Sequence, residues 1–90
     1  MRNFYCVYIK PKEGISFANV QSKIDKALDW FKISNEYWIV YSSSSIDKWM
    51  LRLQKLVEPN GSLFVCKLDT AMKNGWMTTE FWDWMNKDRE

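Results

Sequence analysis

Histidine is absent from this chain of 90 residues, which removes the usual general base near neutral pH and the commonest zinc ligand. The thiols that remain are Cys6 and Cys66. With no CxxC and no histidine beside them they cannot make a structural zinc site, and they are too few for a disulfide framework. Each sits in an apolar run, so each reads as a buried packing residue of a cytoplasmic chain, with a redox or metal role as the alternative. If the first and last strands are neighbours, the two thiols approach one another. Carboxylates could still hold Mg²⁺ for phosphodiester hydrolysis, which wants an acid placed rigidly, commonly at a strand end. Asp69 is the one acid so placed, because the end of the first strand offers Lys10. A single carboxylate reads first as a turn residue, so no catalytic residue and no cofactor is assigned.

Two groups of residues suit binding. Lys48, Arg52 and Lys55 recur at helical spacing and form a basic line that, with Lys10 and Lys12, could track a phosphate backbone. Asp47 and Glu58 flank the line, and Asp25 and Asp29 dilute the field, so a solvated helix face is the competing reading. The strand aromatics Tyr5, Tyr8, Tyr37, Trp38 and Tyr41 could stack on unpaired bases. No Lys/Arg-Gly-Phe/Tyr signature accompanies them, and packing against a helix or a second copy is the alternative. Phe81-Trp82-Asp83-Trp84-Met85 reads as a docking helix. Trp76, Phe81, Trp82 and Trp84 are the expected dimer or partner surface.

Composition bounds these readings. Six Trp, four Tyr and five Phe in so short a chain exceed what one small core holds, which points to a homodimer interface. A net charge of +2 is too small to argue for nucleic acid alone. No apolar run reaches the ~18–20 residues that span a bilayer, and Met1–Lys12 lacks the small-residue cleavage site of a signal peptide. Residues 1–90 are expected to form one domain.

The elements that must position these residues follow from periodicity. Phe4–Ile9 is a near-continuous apolar run, as in a central strand, stopped by Pro11 and Gly14. Ser16 caps an amphipathic helix of about three turns carrying Val20, Ile24, Ala27 and Leu28. Asp29–Ser34 fits helix or strand; alternation favours a strand turning at Asn35-Glu36 into Tyr37–Tyr41. Ser44 with Asp47 resembles a capping box, and Ile46, Trp49, Met50, Leu53, Leu56 and Val57 form one helix face. Glu58-Pro59-Asn60-Gly61 ends that helix before a strand at Leu63–Leu68. Thr78 or Thr79 then caps a short helix. The order β-α-β-β-α-β plus a C-terminal helix predicts an α+β, ferredoxin-like sandwich with a four-stranded antiparallel sheet. Both long helices take one face, and the C-terminal helix or a second subunit covers the other.

From the hairpin onward the chain resembles the SinR-like proteins, small bacterial and phage chains related to the CRISPR-associated adaptation protein. The matching residues are Glu36-Tyr37-Trp38-Ile39-Val40-Tyr41-Ser42-Ser43 and Asn60-Gly61-Ser62-Leu63-Phe64-Val65-Cys66-Lys67-Leu68, with Trp76 and Trp84-Met85-Asn86-Lys87 beyond. The resemblance implies a ferredoxin-like fold and a dimer formed partly by strand addition near the C-terminal segment. In CRISPR-associated relatives it also implies nucleic-acid contact and, in some, metal-dependent nuclease activity through an Asp at the end of the first strand. Lys10 aligns there, and a cation repels Mg²⁺.

The expected function is therefore a non-catalytic homodimeric binding module for protein or nucleic acid, tied to phage or prophage biology or prokaryotic defence. The alternatives are a metal-dependent nuclease using Asp69 with a carboxylate from a second subunit, and an inhibitor that adds a strand to a host protein's sheet.

Overall fold

A computed structural model describes residues 1–89. In chain order it contains β1 (Asn3–Lys10), α1 (Phe17–Ile24), β2 (Asp29–Ser34), β3 (Tyr37–Ser42), α2 (Ile46–Val57), β4 (Ser62–Lys67) and α3 (Thr79–Met85). The ambiguous segment after α1 is a strand, and the chain reverses at Asn35-Glu36 as its alternation predicts. The four strands form one antiparallel sheet in the order β2-β3-β1-β4. That order is compatible with a small ferredoxin-like α+β fold, and it places the apolar Phe4–Ile9 run centrally.

Alternation along β1 sorts the two faces. Tyr5, Val7 and Ile9 are buried with Trp38 and Val40 beneath Val20 and Ile24 of α1 and Trp49, Leu53, Leu56 and Val57 of α2. The largest of these, Trp38 and Trp49, are fully buried. Ser42 is the one buried polar residue of this layer among the described residues. Its Oγ accepts from the Trp49 indole N–H at 3.1 Å and from the Ser44 amide at 3.0 Å, so the indole buries without an unpaired donor.

Caps and turns set where the helices stop. Ser16 caps α1 as expected, its Oγ accepting from the Asn19 amide. For α2 the cap is Ser45 rather than Ser44: its Oγ accepts from the Lys48 amide at 3.2 Å. Ser44 is instead held by the turn at Ser42. Thr78 caps α3 through the Phe81 amide. Helix α1 has 8 residues and ends before Ala27 and Leu28. Its last turn tightens through Lys26 N–H to Lys23 O and Ala27 N–H to Ile24 O, and the Leu28 amide already bonds Tyr41 O in the sheet. Sheet pairing captures the chain where helical spacing alone would let the helix run on.

Candidate binding face and open sheet edge

The second face of the sheet is only half covered. Phe81 and Met85 of α3 bury against Ile39, and Phe4, Cys6, Phe31, Leu68, Trp82 and Trp84 pack around them. Phe31 meets the Phe81 ring edge-on at 5.4 Å, and Trp84 meets Phe4 edge-on at 5.7 Å. Beyond this lid, toward the end of β1, the face stays open. Tyr8 lies between Tyr37 of β3 and Phe64 of β4 in the sheet register. The Tyr8 and Tyr37 rings are 6.5 Å apart, and Phe64 is 63% exposed. Lys10, two positions past Tyr8, shares their face and is exposed.

The five strand aromatics are thereby divided. Tyr5 and Trp38 are buried under the long helices, and Tyr41 packs on Phe4 at 4.9 Å. Tyr8 and Tyr37 remain on the open face. Of the four residues expected at a partner surface, Phe81 is buried within the subunit and Trp82 and Trp84 are half-buried by α3 docking on its own sheet. Trp76 is fully exposed, at 101%. It sits in the irregular stretch between β4 and α3, which also carries Met72, 82% exposed.

The sheet has two edges with different finishes. On β2 the register shifts between Lys32 and Ser34, and the Lys32 ammonium lies 3.9 Å from the centre of the Phe17 ring. Its first residue, Asp29, is gripped by the C-terminal tail. The Arg89 guanidinium donates to Asp29 Oδ2 at 3.2 Å and to the Trp84 carbonyl at 2.6 Å. The same guanidinium lies over the rings of Phe4, Tyr41 and Trp84 at 5.1, 5.2 and 4.6 Å. Lys87 adds a second cation at 3.7 Å. Partial burial works to raise the Asp29 carboxyl. The Trp84 indole, the Trp30 amide, Arg89 and Lys87 more than reverse this and hold it below the usual carboxylate range. The buried Trp84 indole N–H faces this carboxylate without completing a hydrogen bond.

On β4 nothing comparable is built among the described residues. The register is unbroken from Ser62 to Lys67, and the strand carries Leu63, Phe64, Val65 and Cys66 in succession. The Leu68 amide donates to Phe4 O, its partner in register, at 2.9 Å. This fixes the hydrogen-bonding phase: Ser62, Phe64, Cys66 and Leu68 turn their backbone groups toward β1, and Leu63, Val65 and Lys67 turn theirs outward. Among the described residues no loop or turn backbone pairs with those outward groups.

The cations group differently from their sequence pattern. Lys12 donates its amide to Leu56 O at 2.8 Å, which sets Lys10 and Lys12 beside the last turn of α2, where Lys55 lies. Gly61 makes this approach possible, since a Cβ there would lie 2.5 Å from Lys10 O. Lys48 stands at the opposite end of the helix. Between them Arg52 folds over the Trp49 ring at 4.7 Å, with Nη1 buried and without a hydrogen-bond partner. Asp69 is an exposed turn residue whose Oδ1 accepts from the Ala71 amide at 2.9 Å. It lines an open groove of about 610 Å³ together with Arg2 and Lys67. Among the described residues no group of three His, Cys, Asp or Glu side chains could hold a metal ion.

Cys6 and Cys66 face each other directly across β1 and β4. Both are half-buried free thiols rather than fully buried ones. Burial pushes the Cys6 thiol upward, the adjacent Cys66 adds to the rise, and the Tyr37 hydroxyl partly offsets it. No family model, curated protein or solved structure matches the chain. Among the described residues no helix is long and apolar enough to cross a membrane.

Proposed function

We propose that the chain is a homodimeric binding module on a ferredoxin-like plan, of the SinR-like type and active in phage or prokaryotic defence biology, and that single-stranded nucleic acid is its ligand. The observation that carries the reading is the unfinished edge of β4. A regular, apolar, uncovered edge strand is a template for pairing, and native sheets normally blunt or cover such edges. β2 is blunted and β4 is not.

Antiparallel pairing of β4 with its own copy about a two-fold axis meets this demand with one surface. With Val65 on the axis, Val65 faces its mate and Leu63 faces Lys67 of the other copy, so every outward amide and carbonyl of these residues finds a partner. Phe64 then lies across from Cys66 of the other copy. The two open faces become continuous and present Tyr8, Tyr37 and Phe64 from both copies, with Lys10 beside each set. Exposed aromatics suit base stacking and the lysine suits the phosphate between stacked bases.

Light scattering on the purified chain tests the assembly, with twice the chain mass expected. Val65→Pro removes the outward N–H at the axis and is expected to give a monomer. Lys67→Pro has an exposed side chain, so it checks that the loss is not unfolding. A wild-type monomer at high concentration overturns the dimer. For the ligand, labelled single strands titrated by fluorescence anisotropy should bind, and Tyr8→Ala with Phe64→Ala should weaken binding at least about tenfold. The triple change Lys48→Ala, Arg52→Ala and Lys55→Ala separates this from helix-face phosphate binding. A larger loss there than on the aromatic face moves the site to α2.

A further inference from the structure

We propose that Cys6 and Cys66 are a modification site, oxidised to a reversible intrachain disulfide that fastens the edge strand β4 to the central strand β1. The pair stands in direct register opposition across an antiparallel seam. Because Leu68 donates to Phe4, two positions away on each strand, Cys6 and Cys66 also form a hydrogen-bonded pair. Such pairs hold their Cα atoms about 5.5 Å apart, within the ~4.4–6.8 Å that disulfides span. Their Cβ atoms lie near ~5.5 Å, against ~3.5–4.5 Å in a disulfide. Closure therefore draws the strands together by about an ångström. Within its own subunit β4 is the strand freer to move, because among the described residues it pairs with β1 alone, whereas β1 is held by β3 as well. A bond that is reachable and slightly strained belongs to the labile class that small thiols reverse.

The two thiols interact with one another and with the Tyr37 hydroxyl, and all three stand on the face that α3 only half covers. Within one chain neither cysteine has another cysteine to choose, since the sequence contains two. The oxidant is a small-molecule disulfide of the glutathione class. The thiolate of Cys66, on the edge strand, attacks one sulfur of that disulfide, breaking its S–S bond and releasing one small thiolate. Cys6, losing its proton to solvent, attacks the Cys66 sulfur of the mixed disulfide and releases the second small thiolate. The protein loses two electrons and two protons, and one small disulfide becomes two small thiols. The bond forms within one chain, so it does not require the dimer.

The test equilibrates wild-type protein with graded ratios of oxidised to reduced glutathione, quenches with acid, alkylates with N-ethylmaleimide and measures intact mass. Thiol content is expected to fall from two per chain to none in one step, with no glutathione retained and full recovery in dithiothreitol. Trypsin should then yield residues 3–12 joined to residues 56–67. Cys6→Ser should instead retain one glutathione on Cys66. Three results overturn the proposal: both thiols still alkylated where a reference dithiol peptide is fully oxidised, two glutathiones retained per chain, or a chain-to-chain link on a non-reducing gel. The wild-type measurement decides, so the test holds even where the variant fails to fold.

Discussion

The two edges of this sheet are made from strands of equal length, six residues each, yet they are finished in opposite ways. β2 carries a register shift, a lysine folded onto an aromatic ring, and a C-terminal tail pinned to its first residue through Arg89 and Lys87. β4 is regular and apolar, and its outward backbone groups meet no loop or turn among the described residues. Among the described residues one edge is protected by several devices and the other is left open to pairing. The contrast between the edges supports the proposed dimer more directly than exposed aromatics do, because single exposed apolar side chains are ordinary on any protein.

The largest effect that can break the comparison is on association. Val65→Pro should raise the dimer dissociation constant at least about 100-fold, roughly 2.7 kcal/mol, as read by sedimentation. In the wild type, hydrogen exchange at the Leu63, Val65 and Lys67 amides should slow with rising protein concentration, and exchange along β2 should not. Equal concentration dependence at both edges would erase the distinction. Next comes the clamp on the protected edge. Arg89→Ala removes hydrogen bonds to a carboxylate and a carbonyl together with its ring contacts, and should lower stability by about 2–3 kcal/mol in urea unfolding while leaving the dimer constant unchanged. At the entry to the bare edge, Gly61→Ala forces a Cβ against Lys10 O and the Val57 backbone. It should cost about 1–2 kcal/mol by the same measurement.

The smallest effect is electrostatic. The Asp29 carboxyl is depressed in the folded chain, so the stability it contributes is present above its unfolded value. That stability is lost as pH falls from about 4 through the lower folded value. Asp29→Asn should therefore be less stable than the wild type at neutral pH, with the difference closing in acid. A difference that persists undiminished at low pH would mean that Arg89 clamps the tail without its carboxylate partner.

Much of the fold was legible because it rests on local patterns. The Phe4–Ile9 run, the Asn35-Glu36 reversal and the Ile46–Val57 stripe each carry their own signal, and together they give the sequence of elements and the α+β class. The two-residue alternation also contained the sorting of Tyr5 and Trp38 from Tyr8 and Tyr37. It could be used only once the helix-bearing face was known. The opposition of Cys6 and Cys66 was conditional in the same way, since it needs β1 beside β4 and a particular register. Arg89 was not legible at all: its partners lie 60 residues away in Asp29 and on three separate aromatic rings. Ser42 was hidden within a run of four serines, and only the indole of Trp49, one helical turn into α2, distinguishes it. The basic line on α2 was legible as a shared helix face, but the packing of Arg52 on the Trp49 ring was not, because spacing says nothing of how a long side chain folds back on its own helix.

The full exposure of Trp76 has an optical consequence. Of the six indoles in the chain, Trp38 and Trp49 are sealed from solvent and Trp76 is bathed in it. Iodide in the buffer will therefore quench the red side of the emission band and spare the blue side. Any ligand or second copy that settles over the stretch between β4 and α3 will shelter Trp76 from the quencher, which gives the unmodified protein its own reporter of occupancy.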